Sequence, residues 1–342
     1  MTSTPSLTPV FLLAQPSPSS AALSPDAPSI APTLTPEALQ LFFPTDGPSA
    51  STEHRPPLYP IPWAISPHDH FFFSRPISAD YPGEPIWDFR YGGVYFRPDE
   101  VHTGIDIPAP IGTPVLAAGP GTVVWAGEGL FTGDPKFQED PYGNAVAIRH
   151  DFGYAGQLLY TVYAHMSEID VIAGQWLNTG DLVGKVGTTG FTTGPHLHFE
   201  VRLGKNDFFS TRNPELWLVP AQGWGVLVGR VYGWANLPLY SYKVYLRNVT
   251  TDKKWTVITY GPGTVNSDDY YQENMVLSDL PAGVYEIDCQ YAGIDNKVKL
   301  QILPGQVTYF SFKGFHGFSF TPPTPLPDET ATRNCNPSGG GC

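Results

Sequence analysis

Apolar stretches in this chain are short and constantly interrupted. Val115-Leu-Ala-Ala118, Gly121-Thr-Val-Val-Trp125, Ala145-Val-Ala-Ile-Arg149, the run from Leu158 to Ala164, Leu182-Val-Gly-Lys-Val186 and the run from His196 to Leu203 are each closed off by Gly, Pro or polar residues. With 35 Gly and 37 Pro in 342 residues, an interior helix would meet a breaker every few turns. Gly costs about 1 kcal/mol and Pro about 3 kcal/mol against Ala in such a position. No 3.6-residue periodicity survives, while β-branched and aromatic residues concentrate in the short runs. The expected fold is all-β, with six strands in about 130 residues forming an antiparallel sheet domain.

The chain divides by texture. Residues 1–55 are rich in Pro, Ser, Thr and Ala and read as a flexible linker, because they offer too little apolar surface to offset chain entropy. Residues 56–84 are dense in Pro, Phe and Tyr and read as an irregular wrapped segment. The sheet domain is expected over 85–219, with a boundary near Pro220-Ala-Gln-Gly223. Beyond it Val226–Tyr232, Tyr242–Arg247, Lys254–Thr259, Val284–Asp288, Val298–Ile302 and Val307–Phe312 alternate as strands do, at the spacing of a small β-sandwich over 224–313. Residues 314–342 read as a flexible tail.

Charge narrows the partners. Nineteen basic against 32 acidic side chains give a net charge of −13, which argues against nucleic acid or an anionic membrane surface. No apolar run reaches the roughly 18 residues of a membrane span. No Lys or Arg precedes Arg55, so Val10-Phe-Leu-Leu-Ala14 lacks the basic leader of a secretory signal, and no convincing signal peptide is visible. Three cysteines, Cys289, Cys335 and Cys342, say little about compartment; Cys335 and Cys342 either close a small loop, stay free or bind a metal.

Histidine placement carries the chemistry. His102-Thr-Gly-Ile-Asp106 sets an imidazole and a carboxylate four residues apart, on one face if the stretch is extended, with Gly104 leaving room at the backbone. His196-Leu-His198 sets two imidazoles on one face of a strand while Leu197 turns to a core. Two His and one Asp suit Zn²⁺, and a three-ligand set keeps the fourth tetrahedral position open, as a catalytic site requires. Glu200 shares the parity of His196 and His198; it either orients a ligand imidazole or serves at the surface. His68-Asp-His70 has ligand chemistry too, but its surroundings read as a solvated loop, or as a cover over the groove in a latent state. His54 and His316 read as solvated, and His150 as the support of a turn.

The context of these histidines resembles the M23 family of zinc metallopeptidases, the lysostaphin-like or LytM-like endopeptidases of bacterial cell-wall metabolism. The resemblance runs through His102-Thr-Gly-Ile-Asp-Ile107, Pro114-Val-Leu-Ala-Ala118, Gly121-Thr-Val123, Tyr142-Gly-Asn144, Ile148-Arg-His150, Tyr163-Ala-His165, Gly174-Gln175, Gly180-Asp-Leu-Val-Gly184, Val186-Gly-Thr-Thr-Gly190, Thr193-Gly-Pro-His-Leu-His-Phe-Glu200 and Arg212-Asn-Pro214. It covers roughly residues 86–218. It implies His102, Asp106 and His198 as the ligands of one Zn²⁺ per chain, and His165 and His196 as the catalytic, non-ligand histidines, with His196 as base and His165 as oxyanion and water partner, or the reverse. It further implies peptidoglycan peptides as substrate and an extracellular or cell-envelope location. The alternatives are a non-catalytic wall-binding or activator protein of the same fold, and a latent peptidase occluded by its N-terminal segment.

The second half resembles carboxypeptidase-regulatory-like or Cna-B-type β-sandwiches through Gly225–Gly233, Asp279-Leu-Pro-Ala-Gly-Val-Tyr-Glu-Ile287 and Leu303-Pro-Gly-Gln-Val307. That resemblance implies a spacer or binding accessory. Trp234, Tyr240, Tyr270 and Tyr271 either stack on sugars or fill its core.

Overall fold

In the computed structural model, residues 56–77, 89–94, 101–137, 139–263 and 265–324 are described. The expected linker with His54, the end of the wrapped segment, and the Cys335–Cys342 tail lie outside them. Ten strands carry the motif-bearing region: β1 (Ile105–Pro108), β2 (Pro114–Leu116), β3 (Gly121–Gly127), β4 (Ala145–Tyr154), β5 (Gln157–Ala164), β6 (Met166–Ile169), β7 (Trp176–Leu177), β8 (Leu182–Val186), β9 (His196–Leu203) and β10 (Thr211–Arg212). Eight follow: β11 (Trp224–Tyr232), β12 (Lys243–Asn248), β13 (Lys254–Ile258), β14 (Met275–Pro281), β15 (Gly283–Tyr291), β16 (Ile294–Ile302), β17 (Val307–Lys313) and β18 (Phe318–Ser319). No α-helix occurs among the described residues, so the all-β expectation is met. No helix among them is long and apolar enough to cross a membrane.

The main sheet runs β1-β9-β5-β4-β3-β7, with β10 also on β9, and every pairing in it is antiparallel. A three-stranded sheet, β2-β8-β6, completes the motif-bearing region. β9 is the strand that matters most, because both its faces are buried along its whole length. Leu197, Phe199, Val201 and Leu203 enter the main apolar core beside Ile105, Ile148 and Tyr163, each gaining roughly 1.5–3 kcal/mol by leaving water. The opposite face holds His196, His198, Glu200 and Arg202, all nearly inaccessible.

Two four-stranded sheets form the second half, β14-β11-β17-β18 and β13-β12-β15-β16. Side chains of both enclose one core that includes Leu227, Leu246, Ile287, Phe310 and Phe312. All pairings are antiparallel except β11 with β17, which is parallel. The Pro-Ala-Gly turn falls between β14 and β15, as the sequence placed it. The tail starts later than residue 314: Gly314–His316 form a 3-10 turn and β18 pairs with β17, because Phe318 packs on Phe310 and Phe312.

Buried side chains cross the boundary expected near residue 220. β11 alternates, sending Leu227 and Val231 into its own core but Val226 and Val228 into the main one, where Tyr260, Tyr271 and Val276 join them. An ion pair crosses as well, between Arg75 and Asp279 within the same compact unit. The aromatic segment 56–77 packs against the same junction. Phe71 and Phe73 are fully buried, Phe73 pairs with Leu218, and Leu58 with Ala221.

Candidate active site

Antiparallel register brings the first two groups together. Asp106 on β1 lies directly opposite His198 on β9, and Ala164 on β5 flanks His198 from the other side. Directly opposed side chains start about 4.5–5.5 Å apart at Cβ, so a carboxylate and an imidazole meet with no bend in either strand. Ala145, Ala147 and Ala164 are buried in the small cluster on this face with Val162 and Tyr142, and their short side chains leave room above the sheet.

His102 arrives by another route than the one its spacing implied. On an extended strand, positions i and i+4 would stand roughly 13 Å apart, too far to share an ion. The chain instead bends at Gly104, ahead of β1, and folds His102 back over Asp106. Only glycine fits there: a Cβ would lie 2.8 Å from the His198 ring and 2.5 Å from the Phe199 carbonyl oxygen.

Three ligand-type atoms then converge. His102 Nε2 is 3.1 Å from Asp106 Oδ1 and 3.0 Å from His198 Nδ1, and His198 Nδ1 is 2.9 Å from Asp106 Oδ1. Among the described residues this is the cluster with metal-ligand spacing. Tetrahedral bonds of about 2.0–2.1 Å to one zinc would hold the atoms about 3.3 Å apart, close to what is seen. The outward nitrogens are tied back, His102 Nδ1 to the Arg90 carbonyl at 3.2 Å and His198 Nε2 to Glu200 Oε1 at 3.2 Å. Two imidazole nitrogens thus face each other and a carboxylate, an arrangement that calls for a positive charge at its centre. Burial lowers the affinity of the His198 ring for a proton, but Asp106 and Glu200 together outweigh it and push the ring up to about 9. Burial likewise opposes ionisation of Asp106, yet His102 and His196 hold its carboxyl well below the usual range. The residues fit a metal ion.

Residues 100–209 match the sequence profile of peptidase family M23. They form an M23 peptidase domain. Over 103 residues the chain is 42% identical to the DD-carboxypeptidase/endopeptidase Mpg of Neisseria meningitidis, a match covering 30% of this chain and 20% of that protein. Over 101 residues it is 41% identical to the peptidoglycan DD-endopeptidase ShyA of Vibrio cholerae, covering 29% and 20%. Over 130 residues it is 35% identical to the cell division protein DipM of Caulobacter vibrioides, covering 38% and 18%. The chain therefore spans about a fifth of the length of the curated relatives it matches.

Behind His198, the M23 domain carries a polar network that the sequence showed only in part. Glu200 Oε1 accepts from Thr103 Oγ1 at 2.6 Å and from the Tyr142 hydroxyl at 2.8 Å, while Oε2 accepts from Arg202 Nε at 2.7 Å. Arg202 also donates to Tyr142 at 2.8 Å and to Asn206 at 2.8 Å. Burial disfavours the Glu200 charge, but Arg202, His198 and Thr103 pull the carboxyl down to about 2. Of Glu200's two readings, the geometry places it behind a ring in the cluster. Arg202, two residues on, was legible by the same parity; Thr103 and the Tyr142 hydroxyl had no signal beyond their motifs.

His165 and His196 stand beside the cluster, ring centroids 4.8 Å apart, with His165 5.6 Å from His198. Both use Nδ1–H against a carbonyl at 2.8 Å, Thr189 for His165 and Gly194 for His196. This leaves Nε2 of each as an acceptor, that of His196 lying 3.4 Å from Asp106 Oδ2. Burial and the neighbouring His196 and His198 pull His165 down to about 3, and burial lowers His196 too, so both rings are neutral at pH 7. His165 also adopts a left-handed backbone, φ 63°, where β5 turns into β6.

The remaining histidines lie elsewhere. His150 is buried, bonded to the Pro120 carbonyl at 3.0 Å and to Thr161 at 2.9 Å, and burial lowers it to about 4; it supports a turn, as expected. His68-Asp-His70 is neither a solvated loop nor a cover over the cluster. Asp69 and His70 are buried, because Trp217 and Tyr154 enclose the His70 ring and Tyr271 bonds Asp69. Tyr271 is thus a core residue, whereas Trp234 and Tyr240 stay exposed, as does His316.

Proposed function

We propose that this protein is a zinc-dependent endopeptidase that hydrolyses peptide cross-links of bacterial peptidoglycan, acting in the cell envelope or outside the cell. The observation that carries the reading is the convergence of His102 Nε2, Asp106 Oδ1 and His198 Nδ1 on one point, their outward atoms tied back. The names of the relatives, two of them DD-endopeptidases, support the substrate class.

His102, Asp106 and His198 would hold the zinc. When bound, it acidifies a coordinated water and polarises the scissile carbonyl. The chain's own part is proton handling. His196 and His165 each present an acceptor Nε2 with Nδ1–H anchored, so either ring takes a proton from the attacking water and then returns it to the leaving amine. Neither ring in this tautomer can donate to an oxyanion before it has gained that proton. The ring that has become imidazolium can then donate to the oxyanion, beside the polarisation that bound zinc would supply, so the base and oxyanion roles stay exchangeable between His196 and His165. Glu200 and its partners hold His198 in the orientation that offers Nδ1.

The test is digestion of purified peptidoglycan and defined muropeptides, with products identified by mass. Cleavage at peptide bonds, abolished by a chelator and restored by Zn²⁺, is expected. A protein that retains no zinc, or that holds zinc and cleaves none of these substrates, refutes the reading.

A further inference from the structure

His102 is held from outside its own sheet. Residues 89–94 bond every polar group of His102 except Nε2. The His102 amide donates to the Gly93 carbonyl at 2.8 Å, its carbonyl accepts from Gly92 at 2.8 Å, and Nδ1 bonds the Arg90 carbonyl at 3.2 Å. Residues beyond 210 fix this strap, and one of them, Thr211 of β10, belongs to the main sheet. The Gly261 amide donates to the Gly92 carbonyl at 2.7 Å. Gly92 sits on the Tyr260 ring with φ +80°, and a Cβ there would fall 2.3 Å from Tyr260 Cδ1. The Tyr91 hydroxyl donates to the Thr211 carbonyl at 3.1 Å and accepts from the Asn266 amide at 3.0 Å. Arg90 pairs with Glu215, whose same oxygen accepts from the Ser278 amide at 2.7 Å and hydroxyl at 2.6 Å.

We propose that Tyr260-Gly261 and the Glu215–Ser278 pair, acting through residues 89–94, are positioning elements that aim His102 Nε2 at the metal. The C-terminal β region is then a working part of the metal centre rather than an appended spacer. The proposal rests on the zinc reading of the cluster. A ligand imidazole takes its tautomer and direction from the partner of its other nitrogen, and such partners typically change metal affinity 10–100-fold. Here that partner is a main-chain carbonyl, which no single side-chain change on the strap would remove. Its position depends on the Tyr260 ring beneath Gly92 and on the buried charge pair that anchors Arg90. The Tyr260 ring is itself locked, its hydroxyl donating to Glu273 at 2.9 Å and accepting from Asn213 at 2.9 Å.

The experiment compares the full chain with Tyr260→Leu, Glu215→Gln and the control Phe312→Ala, which opens the second core away from the strap. Zinc affinity is measured by chelator competition. The His102 tautomer is read by ¹⁵N imidazole spectra of the metal-free protein, with the signal assigned by its loss in His102→Gln. Tyr260→Leu is expected to weaken zinc 10–100-fold and to shift His102 away from the Nδ1–H form, Glu215→Gln to do the same to a smaller extent, and Phe312→Ala to lower the melting temperature while leaving both readouts at wild-type values. Wild-type affinity and tautomer in Tyr260→Leu, or equal weakening in Phe312→Ala, overturns the proposal. If Tyr260→Leu does not fold, Glu215→Gln decides by the same criteria. If the wild-type protein takes up no zinc, the peptidase reading fails, while the tautomer comparison still judges the strap.

Discussion

Two His-x-His motifs occur in this chain, and they end in opposite circumstances. His196-Leu-His198 is part of a strand, so its rings share a face beneath which alanines leave space. His68-Asp-His70 lies in an irregular segment. There His68 stacks on Tyr270 with centroids 3.4 Å apart, His70 Nδ1 bonds the His68 carbonyl at 2.9 Å, and its Nε2 is 3.4 Å from Asp268. Both pairs are largely buried, so burial does not separate them. What separates them is what each inward nitrogen faces. In the first motif His198 Nδ1 faces both the Asp106 carboxylate and a second ring nitrogen, His102 Nε2, which closes a three-atom cluster. In the second, His70 Nε2 stands 3.4 Å from the Asp268 carboxylate without a hydrogen bond and belongs to no such cluster among the described residues.

The sharpest way to break this contrast is to delete one ring from each motif. His198→Ala should lose its zinc and at least about a thousandfold in hydrolysis rate, whereas His70→Ala should keep both and lose roughly 1–3 kcal/mol of stability. Metal analysis, turnover and urea unfolding measure the three quantities, and zinc loss in His70→Ala would erase the distinction. Within the strand motif itself, His196→Gln and His165→Gln should retain zinc while turnover falls about 10²–10⁴-fold, which separates proton handling from ligation. Glu200→Gln should leave the fold intact and weaken zinc about 10–100-fold, seen by competition titration.

The smallest effect concerns the aromatic nest and pH. His150, beside Phe73, is lowered to about 4 by burial. The unfolded chain binds its proton near pH 6.5, so stability from the neutral ring is complete above that pH and is lost as pH falls towards 4. The span is worth at most roughly 3 kcal/mol. Denaturation curves from pH 7 to 4 should show a shallower decline in His150→Gln than in the wild type. An unchanged slope would assign the acid sensitivity to other groups.

The sequence made the β class, most of the strands and the five residues that gather at the candidate site visible, because those depend on period-two patterning and on local strings. It missed β1, β6, β7, β10, β14 and β18, of which β7, β10 and β18 span only two residues. It also misjudged how His102 reaches Asp106, since a bend enforced by contact with the His198 ring depends on a strand 90 residues away. The shared core was hidden for a related reason. The alternation of β11 reveals two buried faces but not that they belong to different cores. His68-Asp-His70 looked solvated because its Pro-rich surroundings mask Trp217 and Tyr154, which arrive from far along the chain.

The left-handed backbone at His165 has an evolutionary corollary. A non-glycine residue pays about 1–2 kcal/mol to sit there, and glycine or asparagine escapes most of that penalty. On the proposed proton-handling role of His165, hydrolysis and thermodynamic robustness pull this codon in opposite directions. In a lineage freed from the need to cut, drift at position 165 should run downhill towards Gly or Asn, leaving a sturdier, inert descendant.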